Sequence, residues 1–470
     1  MTGGPPGAPP AQAPRRFEDT AVVAAVALVA RLAFVVWAWN RIGPVADGTY
    51  YDTIARRLAS GFGYTWQWPD GTVTPAAHYP VGYPALVAFA YRIGGAHPGV
   101  AMVPGALLGA LGAAALHRAV AGRTTRRTAL AVGLAFALHP ALLSYTPALM
   151  TEGITASLLA IALYLGARAS ERGLGRAALF GVVIGLVTYV RPQNIVFAPV
   201  FPLAGFLTAS WSKARLGRAL VAAGVATVVA FAVLAPWTAR NCSSMGRCAL
   251  VSVNGGWNLL IGTDPDAGGS WAPIKVPEPC REVWDEAAKD TCFGDAARRT
   301  IREHPLAWAA LAPQKLAVTF EYFGAGPWYL HAANPAAFGD GAKTVWGALE
   351  TLVQRLLLAA GLVKIIRLLE PAVRRVPGRW GRLWAPLAAV ALCLSGTLAV
   401  LALAALALVA SVHPQTRRLV AADVPAAAAL ILLTAGIHAA FFGAGRYGLV
   451  VIPAVIALFC PRARDDAPGF

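Results

Sequence analysis

The chain has 470 residues, of which 57% are hydrophobic and only 13% charged, with a formal net charge of +17. Its mean hydropathy of +0.56 excludes an ordinary soluble domain and predicts a polytopic membrane protein. The Ala, Gly, Val and Leu richness predicts spanning helices rather than a barrel, whose strands would alternate apolar and polar residues.

Residues 1–19 begin Gly/Pro-rich and read as a disordered tail, followed by a first apolar run at 20–38. That run is long for a signal peptide and no small-residue cleavage site follows it, so a retained helix is expected. Further helices are expected near 100–118, 128–147, 153–168, 176–191, 194–211 and 219–238. Basic clusters at Arg123/Arg126/Arg127, Arg168/Arg172/Arg176 and Lys213/Arg215/Arg218 occupy every second gap. This positive-inside pattern predicts a cytoplasmic N-terminus in the plasma (inner) membrane and accounts for the net charge without a nucleic-acid partner.

The first outer loop, 39–99, contains "DGTYYDTIARRLASGFGY" from Asp47 to Tyr64 and "HYPVGYPALVAFAY" from His78 to Tyr91. Both stretches are too short to span and are predicted to form interfacial helices. Thr49 and Asp52 match an S/T-x-x-D/E capping pattern, which gives Asp52 a structural role and leaves Asp47, ahead of the cap, without one. In the middle of the predicted helix at 128–147, His139 and Pro140 mark a kink with a satisfied imidazole.

Seven crossings leave the polar stretch 239–342 outside, completing an N-terminal module at 20–238. It holds four of the six cysteines, which read as two local disulfides, Cys242 with Cys248 and Cys280 with Cys292. Free thiols or a four-cysteine metal site are the alternatives. Within it, Trp257 and Trp271 suit stacking on sugar faces and Asp264 and Asp266 suit bonds to sugar hydroxyls. The remaining helices, at 343–470, include a long apolar run at 383–411 between basic clusters at Arg374/Arg375/Arg379/Arg382 and Arg417/Arg418. Placing both clusters inside requires that run to enter and return near 395–397; otherwise one cluster lies outside. Arg462 and Arg464 form a last cluster after the run at 447–460.

Charged residues at outer helix ends are the candidate site: Glu152 in "LMTEGITASLLAIALYL", Arg191 in "RPQN", Arg240 in "APWTARN" and Arg446 in "GRYGLVVIP". In their order along the chain, together with the two loop stretches, these motifs resemble the GT-C class of membrane glycosyltransferases. The likeness is greatest to bacterial relatives of the protein O-mannosyltransferases and the aminoarabinose lipid A transferases.

The resemblance implies an all-α bundle of about 10–12 transmembrane helices, with interfacial helices in the first outer loop and one long outer loop. It also implies an inverting hexosyl- or pentosyltransferase using a polyprenyl-phosphate-linked sugar, whose catalytic base is an acidic residue at the position of Asp47. Many relatives carry Asp-Glu there, whereas this chain has Asp47-Gly48.

The chemistry agrees with these residue types. A phosphodiester is already a good leaving group, so one carboxylate acting as base on an acceptor hydroxyl suffices. Arginines suit the developing phosphate charge, which makes Arg191, Arg446 and Arg240, with His78, the expected phosphate-binding residues. Glu152, with Asp52 as a second supporting acid, would position Asp47 or a divalent metal; no cofactor is required. An envelope lipid, glycan or protein would be the acceptor. A transporter or lipid flippase is the alternative, since charges within the bilayer also line substrate pathways.

Overall fold

The computed structural model describes residues 13–208, 211–370 and 380–462. Residues 1–12 of the expected tail, and Arg374, Arg375, Arg379 and Arg464, lie outside the described residues. The described chain is almost wholly helical, with a single two-stranded hairpin.

Helix α1 spans Ala13–Ala38, so residues 13–19, expected in the tail, are helical instead. The reason is local pairing: Asp19 accepts from Arg126 at 2.7 Å and Thr20 bonds His117 at 2.9 Å, so the polar first turns are held against the bundle. Helix α2 (Asp47–Ala59) follows a short loop. Its N-cap is Ala46, not Thr49, and Asp47 is its first residue. The expected Thr49–Asp52 cap is therefore absent; Asp52 instead accepts from Arg56 at 2.7 Å and from the Tyr91 hydroxyl. Strands β1 (Thr65–Gln67) and β2 (Val73–Pro75) pair antiparallel, Trp66 facing Thr74. Helix α3 (Gly82–Gly94) then packs on α2 through Tyr83, whose ring meets Tyr51 edge-on at 5.2 Å.

Helix α4 spans Pro98–Val120. The next expected helix is broken into α5 (Arg126–Ala137) and α6 (Pro140–Ser144), because Pro140 cannot donate to the ladder. His139 at the break bonds Gln354 at 3.2 Å through Nε2, but its Nδ1 has no partner, so the imidazole is only half satisfied. Helices α7 (Glu152–Gly166) and α8 (Leu174–Val190) follow. The expected helix at 194–211 is instead a 3-10 turn opened by Pro192, then α9 (Phe197–Ala204), which accommodates Pro199 and Pro202, and a second 3-10 turn.

Helix α10 (Lys213–Ser244) has 32 residues, about 48 Å at roughly 1.5 Å each, more than the roughly 30 Å hydrocarbon core. It packs on α8 where Gly181 and Gly185 face Ala226 and Ala230. A Cβ at Gly181 would lie 2.5 Å from the Ala226 carbonyl, so the two backbones touch as small-residue membrane pairs do.

Two disulfides close, Cys242 in the last turn of α10 with Cys248 just beyond it, and Cys280 with Cys292 in the loop segment. That segment folds into α11 (Gly255–Ile261), α12 (Glu286–Glu303), α13 (Pro305–Ala310), α14 (Ala312–Phe320) and α15 (Ala325–Ala333). Helix α16 (Asp340–Leu369) re-enters the bundle.

The long apolar run is a helical hairpin, α17 (Trp380–Leu392) and α18 (Gly396–Val412), because α17 starts ahead of the run and shares the length. Its turn is tied to the loop end of the bundle by Glu321, which accepts from Ser395 and from the Gly396 and Thr397 amides at 2.8 and 3.0 Å. The opposite end holds Arg417 over Trp211, and Arg123 paired with Asp423. Helices α19 (Asp423–Ala440) and α20 (Ile452–Ala457), with a 3-10 turn at Gly445–Val451 between them, complete the core. Among the described residues five helices are long and apolar enough to cross a membrane: Phe17–Ala38, Pro98–Val120, Arg126–Ser144, Lys213–Ser244 and Asp423–Ala440. Shorter apolar helices pack between them.

Candidate active site

Four charged residues from four distant segments meet near the first turn of α2. Arg446 Nη1 lies 2.8 Å from Asp47 Oδ2, and its Nε lies 3.5 Å from Glu152 Oε1. Arg191 Nη1 donates to the same Glu152 oxygen at 2.8 Å, while the Tyr145 hydroxyl donates to Glu152 Oε2 at 2.7 Å. Each position follows from a helix boundary. Asp47 and Glu152 open α2 and α7, where the positive end of the helix dipole favours a carboxylate. Arg191 closes α8 before Pro192, and Arg446 sits in the 3-10 turn between α19 and α20.

Two carboxylates and two guanidinia balance in charge, which is what lets them sit inside the protein. Side-chain exposure rises from 2% for Glu152 through 12% for Arg191 and 25% for Arg446 to 31% for Asp47. Asp47 and Arg446 are therefore the members a substrate can reach, and Glu152 and Arg191 are their support. Arg191 and Arg446, both expected to bind the donor phosphate, here share the Glu152 Oε1 oxygen.

Tyrosines finish the site, and sequence reasoning overlooked all of them. The Tyr79 hydroxyl donates to Asp47 Oδ1 at 3.4 Å. The Tyr447 ring lies under both guanidinia, at 4.6 Å from Arg191 and 5.3 Å from Arg446, and stacks on His438 at 4.4 Å. Arg446 also reaches the Met150 sulfur at 3.9 Å. The available signals were proximity in sequence, Tyr447 beside Arg446 and Tyr145 two turns ahead of Glu152.

His78 stands close by, its ring edge-on to Tyr79 at 4.9 Å and Trp257 at 5.0 Å. Burial pushes its imidazole below the ordinary value of 6.5, so at neutral pH it offers an N–H but no charge. Its backbone amide, with that of Ala77, donates to Glu286 of α12 at 3.1 and 2.7 Å. Through Glu286 and Trp257 the segment after α10 is thus docked on the loop before α3.

Other expected site residues are placed elsewhere. Arg240 donates to the carbonyls of Ala76 and Tyr64 at 2.8 and 2.9 Å and stacks on Trp237, so its guanidinium holds the hairpin rather than joining the charged group. Asp52 belongs to its own pair with Arg56. Asp264 caps its turn at the Asp266 amide, and both aspartates face Lys275, at 3.7 and 2.8 Å. Trp271 is 60% exposed. Among the described residues no group of three His, Cys, Asp or Glu side chains is arranged for a metal. Asp47 and Glu152 face arginines, a setting that does not fit a divalent cation.

Part of the chain resembles a known protein family. Residues 78–239 match the family described as dolichyl-phosphate-mannose-protein mannosyltransferase. The resemblance to the GT-C class, carried by the motifs, is thus also found in a matched third or so of the chain, which holds Glu152 and Arg191. No curated protein matches the chain. Among solved structures, the Archaeoglobus fulgidus oligosaccharyltransferase tethered with an acceptor peptide aligns with a TM-score of 0.49 and 14% identity. That alignment covers 95% of this chain, which spans about half (49%) of the archaeal protein. ArnT from Cupriavidus metallidurans bound to undecaprenyl phosphate aligns with a TM-score of 0.42 and 16% identity, over 93% of this chain and 77% of that one.

Proposed function

We propose that this chain is an inverting glycosyltransferase that moves a sugar from a polyprenyl-phosphate donor to a hydroxyl acceptor at the outer face of the plasma membrane. The observation that carries this reading is the half-exposed Asp47 carboxylate paired to the half-exposed Arg446, both braced from below by buried Glu152 and Arg191. Asp47 is the general base and takes the proton of the acceptor hydroxyl as that oxygen bonds to the anomeric carbon. The bond from that carbon to the phosphate oxygen breaks with its electrons on the phosphate, so configuration inverts.

Arg446 does two jobs in turn. Without donor it neutralises Asp47; an incoming phosphate competes for the guanidinium and leaves the carboxylate free to accept a proton. Charge-assisted bonds to the phosphate then stabilise the leaving group as its charge grows. Arg191 keeps Glu152 ionised and in place so that Arg446 stays between the two carboxylates. His78, Trp257 and Tyr79 form the wall where sugar and acceptor would lie, suited to stacking and neutral hydrogen bonding.

The test is affinity for undecaprenyl phosphate as the probe, measured on purified protein. Removing a charge-assisted bond costs about 1.5–3 kcal/mol, so Arg446→Ala should bind roughly 10- to 100-fold more weakly than wild type. Equal affinity in Arg446→Ala and wild type would contradict the phosphate-binding role.

A further inference from the structure

The two carboxylates of the site open two helices, and one hydroxyl group joins the loops that lead into them. Tyr329, in α15, is 1% exposed. Its hydroxyl accepts from the Val45 amide at 3.3 Å and from the Leu149 amide at 3.2 Å, and lies 3.5 Å from the Gly43 carbonyl, to which it donates. Val45 is two residues ahead of Asp47, and Leu149 is three ahead of Glu152. A third chain segment, remote from both, therefore sets their spacing.

Gly48 completes the junction. A Cβ there would lie 2.7 Å from the Tyr329 hydroxyl oxygen and 3.0 Å from the Leu149 carbonyl, closer than such contacts allow. Ala46, just ahead of Asp47, is held at φ 50 and ψ −132, a conformation that a residue with a side chain rarely adopts and that persists only where surroundings enforce it. The bonds from Val45 and Leu149 to Tyr329 supply that enforcement. They also explain why a glycine follows Asp47 here, where many GT-C relatives carry a glutamate.

We infer that Tyr329 is the positioning residue that fixes Asp47 against Glu152, and that residue 48 is glycine so that this hydroxyl can enter. The catalytic meaning of that position rests on the glycosyltransferase reading. The bonding scheme itself can be tested without any turnover.

The experiment is peptide-resolved amide hydrogen exchange on the full chain in lipid nanodiscs, comparing wild type, Tyr329→Phe, Gly48→Ala and the double variant. Losing one hydrogen bond raises local exchange by roughly tenfold, so Tyr329→Phe should show that rise in peptides covering 43–49 and 147–152 and nowhere else. Gly48→Ala should loosen the same peptides, and adding Tyr329→Phe should reduce that effect, because the obstructing oxygen is gone. Wild-type exchange in both peptides of Tyr329→Phe, a rise spread over the whole chain, or a double variant looser than Gly48→Ala alone would overturn the inference. Loss of the positioning effect would leave Asp47 as a candidate base, whereas an active Asp47→Asn would remove the base and leave this geometry standing.

Discussion

Glu152 is 2% exposed, and its charge is acceptable there only because Arg191, Arg446 and Tyr145 surround it. Removing one partner of such a pair leaves an uncompensated charge. Arg191→Ala should therefore lower unfolding stability by roughly 3 kcal/mol, and adding Glu152→Gln should recover part of the loss. Thermal unfolding of the two variants checks this, and a double variant less stable than Arg191→Ala would contradict the pairing. Arginines at outer helix ends were legible in the sequence because an unpaired guanidinium near a bilayer needs an anionic partner. Which anion it finds was not, since Asp47 and Arg446 come together only through the folding of everything between them. Tyr329 was illegible for a related reason. In "GPWYLHAA" it is one aromatic residue of an apolar helix, and only its depth reveals the hydroxyl's partners.

Between elements, the segment after α10 docks on the His78 segment through Glu286 and Trp257. Burial lowers the folded-state value of His78 below its unfolded 6.5. Just below that value the unfolded chain binds the proton more readily, so docking is fully present above about pH 6.5 and is lost as pH falls through the window beneath it. Exchange protection of the 76–79 peptide against pH should show that fall, and His78→Gln should flatten it. An unchanged slope in His78→Gln would assign the dependence to another group. The short elements were the least readable. The Thr49-x-x-Asp52 pattern satisfied a capping rule, yet the turn at Ala46 starts the helix three residues earlier. The hairpin between Thr65 and Pro75 was missed, although a Pro-Asp-Gly turn at 69–71 separates its strands. The single helix expected at 194–211 is three short helical pieces instead.

For the whole molecule, the apolar runs located the five helices long and apolar enough to cross a membrane, because hydrocarbon admits so few alternatives. The parity of the C-terminal part depended on tertiary contacts instead. Glu321 places the 393–395 turn at the loop end, and the Arg123–Asp423 pair and Arg417 over Trp211 place the chain after α18 at the other end. A membrane-impermeant thiol reagent applied from outside should therefore label Leu394→Cys but not Leu419→Cys, both exposed positions, in a chain whose Cys393 and Cys460 are replaced by serine. Labelling of both from one side would contradict the hairpin.

The central claim is that Asp47 takes a proton from an acceptor hydroxyl while a sugar leaves a polyprenyl phosphate. The most direct measurement is mass spectrometry of envelope lipids, glycans and proteins from cells lacking this chain, complemented with wild type or with Asp47→Asn at equal abundance. Base catalysis is worth about 10²–10⁴-fold, so wild type should restore a sugar-bearing product and Asp47→Asn should leave its rate of formation lower by that factor. Restoration of the product by Asp47→Asn at the wild-type rate would contradict the account.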